Sequence, residues 1–153
     1  MDLILWRHAE ADPIAPGQDD LQRALTHKGE RQARRMAAWL NHRLAATTRV
    51  LVSPALRCRQ TAEALGRESR ILPALAPDAA VAALLDAARW PTSPEPVLIC
   101  GHQPTLGRVA AQLLAGAEQD WAVKKGAVWW LRGRQRGDES EIVLHAVQGP
   151  DAL

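Results

Sequence analysis

The sequence predicts an α/β fold: a single-domain, three-layer sandwich with a mostly parallel central sheet and helices on both faces. Three observations carry this. Leu3–Trp6, Val50–Val52 and Val97–Cys100 are short apolar runs without polar alternation, the mark of strands buried on both faces. Segments with helical apolar spacing separate them. The chain has 153 residues, enough for one domain with a substantial core.

The elements follow in order. Leu3 to Trp6 is the first strand, ending abruptly in Arg7-His8. A polar loop runs through Gly17, Asp19 and Asp20. Thr26 is placed to cap a helix reaching about Ala46, whose buried stripe is Ala33, Met36, Ala37, Leu40 and Leu44. Gly29 is a poor helix former in the first turn, which points to a close backbone approach there. Val50-Leu51-Val52 is the second strand. Ser53-Pro54 has the chemistry of an N-cap and first helical residue, and Gly66 is a suitable stop. After Ile71-Leu72-Pro73, Asp78 is placed to cap a helix to about Arg89, with Val81, Leu84, Leu85 and Ala88 as its stripe. Val97 to Cys100 leads into Gly101-His102, and a helix from Pro104 to about Ala115 stops at Gly116. Ala127–Leu131 and Glu141–Val147 form a hairpin around a polar turn containing Gly133 and Gly137.

Composition excludes several classes. The chain is 47% hydrophobic and 24% charged, which is globular rather than disordered. A net charge of +2, with acids interleaved among bases, provides no field for nucleic acid. Of the 19 basic residues only Lys28, Lys124 and Lys125 are lysine. Arginine suits bidentate binding of phosphate, although most of this excess is compositional. The two cysteines, Cys58 and Cys100, have no CxxC partner. That disfavours a disulfide framework or a zinc site and fits a reduced, cytoplasmic setting. No apolar run approaches about 18 residues, and the first residues lack the pattern of a signal peptide, so no membrane association is expected.

In open α/β sheets ligands bind beyond the carboxyl ends of the strands. Arg7 and His8 follow the first strand, Ser53 and Arg57 the second, and His102 the third. Two arginines and two histidines at one sheet edge suit a phosphate dianion. The guanidinium groups hold its oxygens, one neutral imidazole attacks phosphorus, and the other hydrogen-bonds a developing charge. This chemistry requires no metal or other cofactor.

Four blocks resemble a known family. Leu5-Trp6-Arg7-His8-Ala9-Glu10 is similar to the Arg-His-Gly signature of the histidine phosphatase (phosphoglycerate mutase-like) superfamily, with Ala9 in place of glycine. Leu25-Thr26-His27-Lys28-Gly29 resembles its Leu-Thr-x-x-Gly segment. Ser53-Pro54-Ala55-Leu56-Arg57-Cys58-Arg59-Gln60-Thr61-Ala62 and Gly101-His102-Gln103-Pro104 resemble its second-arginine and second-histidine blocks. Leu72-Pro73-Ala74-Leu75-Ala76-Pro77 and the Lys125-Gly126-Ala127 turn look most like the SixA-type phosphohistidine phosphatases.

The resemblance implies a phosphorylated His8 in a pocket completed by Arg7, Arg57 and His102, with Arg23 and Ser53 as substrate contacts. Family members acting on esters carry a carboxylic acid between the second arginine and second histidine, where Ala74 stands here. Glu10 is a candidate proton donor. The missing acid directs the reading to phosphohistidine or another activated phosphoryl group, with phosphohistidine on a signalling or phosphotransfer protein as the favoured substrate. The alternatives are a small-molecule phosphomonoesterase and a catalytically silent phosphate-binding module.

Overall fold

The computed structural model describes residues 1–153. Its centre is one six-stranded sheet. The strands are β1 (Asp2–Arg7), β2 (Arg49–Val52), β3 (Arg70–Ile71), β4 (Val97–Gly101), β5 (Val128–Arg136) and β6 (Glu139–Gln148). Their spatial order is β3-β2-β4-β1-β5-β6. The first four are parallel to one another, whereas β5 runs antiparallel to both β1 and β6. The sheet is therefore mixed and mostly parallel, as expected.

Alternation along β1 builds the three layers. Leu3 and Leu5 face a core containing residues of α3 (Val81–Ala88) and α4 (Thr105–Ala115). Ile4 and Trp6 face the opposite core, filled by α1 (His27–Asn41) and α2 (Leu56–Glu63). Both faces of this strand are buried from Leu3 to Trp6, and those four positions are all apolar. No helix is long and apolar enough to cross a membrane.

Several boundaries differ from the sequence expectation, each for a local reason. α1 stops at Asn41 instead of near Ala46. Arg67, from beyond α2, donates to the Asn41 side chain and to the Ala45 carbonyl at 2.8 and 2.9 Å, supporting a turn where the helix would have continued. Asp78 does not cap α3: the helix starts at Val81 after Ala80, and Asp78 has φ 66°. The preceding turn at Pro73–Leu75 buries Leu75 in the core and sets the helix start later. Ile71 belongs to the short edge strand β3 rather than to a plain connection.

The hairpin is longer than its apolar residues indicate. Arg132 lies within β5 and makes a two-point contact with Asp2 at 2.8 and 3.0 Å, which draws a charged segment into the ladder. Thr26 does cap α1, accepting from Gly29 N at 2.9 Å.

Candidate active site

The carboxyl ends of β1 and β4 lie side by side, with Arg7 opposite Gly101. His8 continues from β1, and its backbone N–H donates to Gly101 O at 3.2 Å. The turn before β5 locks the same strand end from the other side. Gly126 N–H is shared between Arg7 O and His8 O at 3.1 and 3.0 Å, while the Trp6 indole donates to Gly126 O at 2.9 Å. Gly126 has φ +75°, a conformation that favours glycine. His102 leaves β4 one residue beyond Gly101. The two imidazole rings thus meet with centroids 5.4 Å apart, and both are almost fully buried.

Hydrogen bonds assign the ring nitrogens. His8 Nδ1 is 2.7 Å from Ala9 O, which can only accept. Nδ1 therefore carries the proton, and Nε2 has a free lone pair. Burial, together with the charges of His102, Arg57 and Arg7, lowers the His8 pKa to about 3 despite the opposing Ala9 contact. His8 is thus a neutral nitrogen base throughout the physiological range. Around His102, Arg57 approaches Nδ1 at 3.4 Å, and Ser53 Oγ is 2.7 Å from Nε2. A guanidinium has only donors, so Nδ1 is the accepting side and Nε2 donates to Ser53. Ser53 Oγ also accepts from Ala55 N at 3.2 Å, which fixes the hydroxyl at the mouth of α2 although the helix itself begins at Leu56.

Arg57 is buried in the first turn of α2. Its terminal nitrogens donate to the main-chain and side-chain oxygens of Asp20 at 2.8 and 3.0 Å. Asp20 also accepts from Arg23 Nε at 2.9 Å, while Arg23 NH1 donates to Asp12 O at 3.0 Å. Arg23 therefore reaches the pocket through Asp20. Burial opposes ionisation of Asp20, but the hydrogen bonds and charges of Arg57 and Arg23 prevail and hold its pKa below the usual carboxylate value. Arg7 donates through NH1 to Val123 O at 2.9 Å. The Nε–H groups of Arg7 and Arg57 are buried without a hydrogen-bond partner in the protein. Such donors fit a closely seated oxyanion.

The remaining sequence candidate is Glu10. Its carboxylate accepts from Thr26 Oγ1 at 2.8 Å, and its main-chain N–H donates to Gln32 at 3.0 Å. Glu10 is thus tied to the start of α1. Asp20 was not singled out by sequence reasoning. Its only signal was an acidic pair, Asp19-Asp20, ahead of Arg23, and an acidic pair in a polar loop usually means solvent exposure. The described residues contain no group of three metal-ligating side chains.

His8, His102 and Arg57 thus meet beyond the carboxyl ends of a mostly parallel α/β sheet. The Histidine phosphatase superfamily (branch 1) matches residues 3–79. Escherichia coli phosphohistidine phosphatase SixA is 32% identical over 124 residues, covering 76% of each chain. An uncharacterized protein from Picosynechococcus is 36% identical over 123 residues, covering 76% of this chain and 74% of its own. The structure of the protein histidine phosphatase SixA complexed with tungstate superposes with a TM-score of 0.78, at 28% identity over 99% of each chain. The chain belongs to the histidine phosphatase superfamily, branch 1, and is a SixA-like hydrolase of that family.

Proposed function

We propose that this protein hydrolyses phosphohistidine on a signalling or phosphotransfer protein, through a phosphorylated His8. The observation that carries the reading is the His8 ring. Nδ1 is engaged by Ala9 O, and the neutral Nε2 is left with its lone pair beside Arg57 and His102. His8 Nε2 attacks phosphorus, and the substrate P–N bond breaks. Its electron pair leaves with the substrate imidazole, which takes a proton from solvent. Water then attacks phospho-His8, releasing inorganic phosphate and the free imidazole. Arg7 and Arg57 neutralise the phosphoryl oxygens, and His102, held between Ser53 and Arg57, orients the Arg57 guanidinium beside them.

Substrate choice follows from the acids. An alkoxide leaving group needs a proton from a neutral acid, whereas an imidazole leaves more readily. Asp20, the carboxylate in contact with Arg57, is held ionised by Arg57 and Arg23. Glu10 is bonded to the Thr26 hydroxyl. The relationship to the Escherichia coli phosphohistidine phosphatase supports the same choice. Two buried free thiols, Cys58 and Cys100, fit work in the cytoplasm.

The test compares a phosphohistidine protein, free phosphohistidine and phosphate esters at matched concentration. The phosphohistidine protein is expected to be hydrolysed fastest, and His8→Ala to release no phosphate from it. Faster turnover of the esters would reject the substrate assignment. Full turnover by His8→Ala would reject the intermediate.

A further inference from the structure

Besides Arg7 and Arg57, one other arginine has a buried Nε–H without a hydrogen-bond partner, and that is Arg49. It is the first residue of β2, at the end of the parallel strands opposite Ser53. We propose that Arg49, Arg70 and Arg89 form a second anion site there. Its ligand class is a small hydrophilic organic anion with two or more negative charges, a phosphate monoester or a polycarboxylate.

The three arginines line one cavity of about 550 Å³, together with Thr48, Ser69 and Glu68. That volume is in the range of small-ligand pockets, and these polar walls suit a hydrophilic ligand. Three separate elements supply the charges. Parallel pairing sets Arg70 of β3 opposite Leu51, two residues along β2 from Arg49. Arg89 follows α3 with φ 54° and ψ 41°, the left-handed cap usually taken by glycine. A long charged side chain therefore occupies a backbone position that disfavours any side chain.

The carboxylates nearby do not satisfy this cluster. Glu95 Oε2 is 3.8 Å from both Arg49 Nε and Arg89 NH2, beyond hydrogen-bond distance from each. Three guanidinium groups face Glu68 and Glu95, leaving a positive excess. Arg49 NH2 donates to Ala88 O at 3.1 Å and contacts Ser93 Oγ at 3.5 Å, so its head group is held in place. Burial, with the neighbouring charges of Arg89 and Arg70, disfavours its charged form, while Glu95 favours it. A bound dianion displaces the loosely held Glu95 and relieves the repulsion among the arginines.

The full chain labelled with ¹⁵N and carrying His8→Ala, which prevents turnover, is titrated separately with inorganic phosphate, glycerol 3-phosphate and citrate. Saturable shifts are expected at the Arg49, Arg70 and Arg89 amides. Comparison of the glycerol 3-phosphate and citrate arms tells a phosphate ligand from a carboxylate one. Arg70→Ala combined with Arg89→Gly is expected to weaken these shifts about tenfold or more. Shifts at the Gly101 and His102 amides, beside the first site, are expected to keep their phosphate dependence. Arg89→Gly suits the left-handed backbone, so thermal melting should show an intact fold; Arg70→Ala alone, at an exposed position, is the second variant. Absence of saturable shifts with all three anions overturns the proposal. Unchanged affinity in the folded variants overturns it equally.

Discussion

Which nitrogen of each imidazole carries the proton determines what the two histidines do. His8 is oriented by a backbone carbonyl, so its tautomer does not depend on any neighbouring side chain. His102 is oriented by Ser53 and Arg57. Fully buried and bonded to His102, Ser53 is proposed as a positioning residue acting through that ring, where the sequence suggested a substrate contact. Ser53→Ala removes the acceptor at Nε2 and lets the ring turn. Its kcat for phosphohistidine protein is expected to fall roughly ten- to a hundredfold, with KM little changed and the pH profile displaced. Ser53→Thr keeps the hydroxyl and is expected to recover part of the loss. Equal losses in kcat and pH profile for both variants would argue against positioning. The same reasoning explains why Arg57 needs Asp20. A buried guanidinium held at two points presents its remaining donors in fixed directions, at the cost of a fixed negative charge nearby.

The first turn of α1 shows how an element is adjusted to its neighbour. Gly29 is unfavourable for a helix, and in an open site alanine would gain about 1 kcal/mol. Here a Cβ would overlap Glu10 O, a backbone atom in the loop that follows His8. Thr26, the helix cap, donates to the Glu10 carboxylate, and Thr26 N donates to Glu10 O at 3.1 Å. Gly29→Ala is therefore expected to destabilise the protein by about 1–3 kcal/mol, the reverse of the propensity effect. Urea denaturation measures it, and unchanged or higher stability would show that the loop can move away. Gly107 in α4 meets Trp121 O in the same manner. Gln103 strengthens that contact by donating to Trp121 O and accepting from Gly107 N, both at 2.7 Å.

The molecule as a whole carries the cost of keeping His8 neutral. Its pKa falls from 6.5 to about 3 in the fold. Below about pH 6.5 the unfolded chain binds a proton there that the native protein does not, so stability falls as pH falls. The loss runs from about pH 6.5 down to about pH 3 and reaches on the order of a few kcal/mol, with none above that window. Asp20 and Asp2, whose pKa values are lowered, add loss in the same direction at more acidic pH. His8→Asn is expected to flatten the dependence of unfolding free energy on pH between about 5 and 6.5, where carboxylates titrate little. An unchanged slope would assign the acid sensitivity to another group. The buried histidine is tolerable because both faces of the sheet supply large cores.

The sequence alone determined the class of fold and the four residues nearest the proposed chemistry. The apolar runs Leu3–Trp6 and Val97–Cys100 require burial on both faces, and Arg7, His8 and His102 come where those strands end. Arg57 was legible because Ser53-Pro54 announced a helix start. Local pattern could not decide the longer hairpin, since the Arg132–Asp2 pair joins residues distant in the chain. It also misplaced the start of α3, which depends on burial of Leu75. Only the tertiary structure brought Asp20 to Arg57, assigned the imidazole protons, and gathered Arg49, Arg70 and Arg89 around one cavity. The reason is physical: apolar periodicity records which face of an element is buried, whereas a polar contact depends on which distant element arrives beside it.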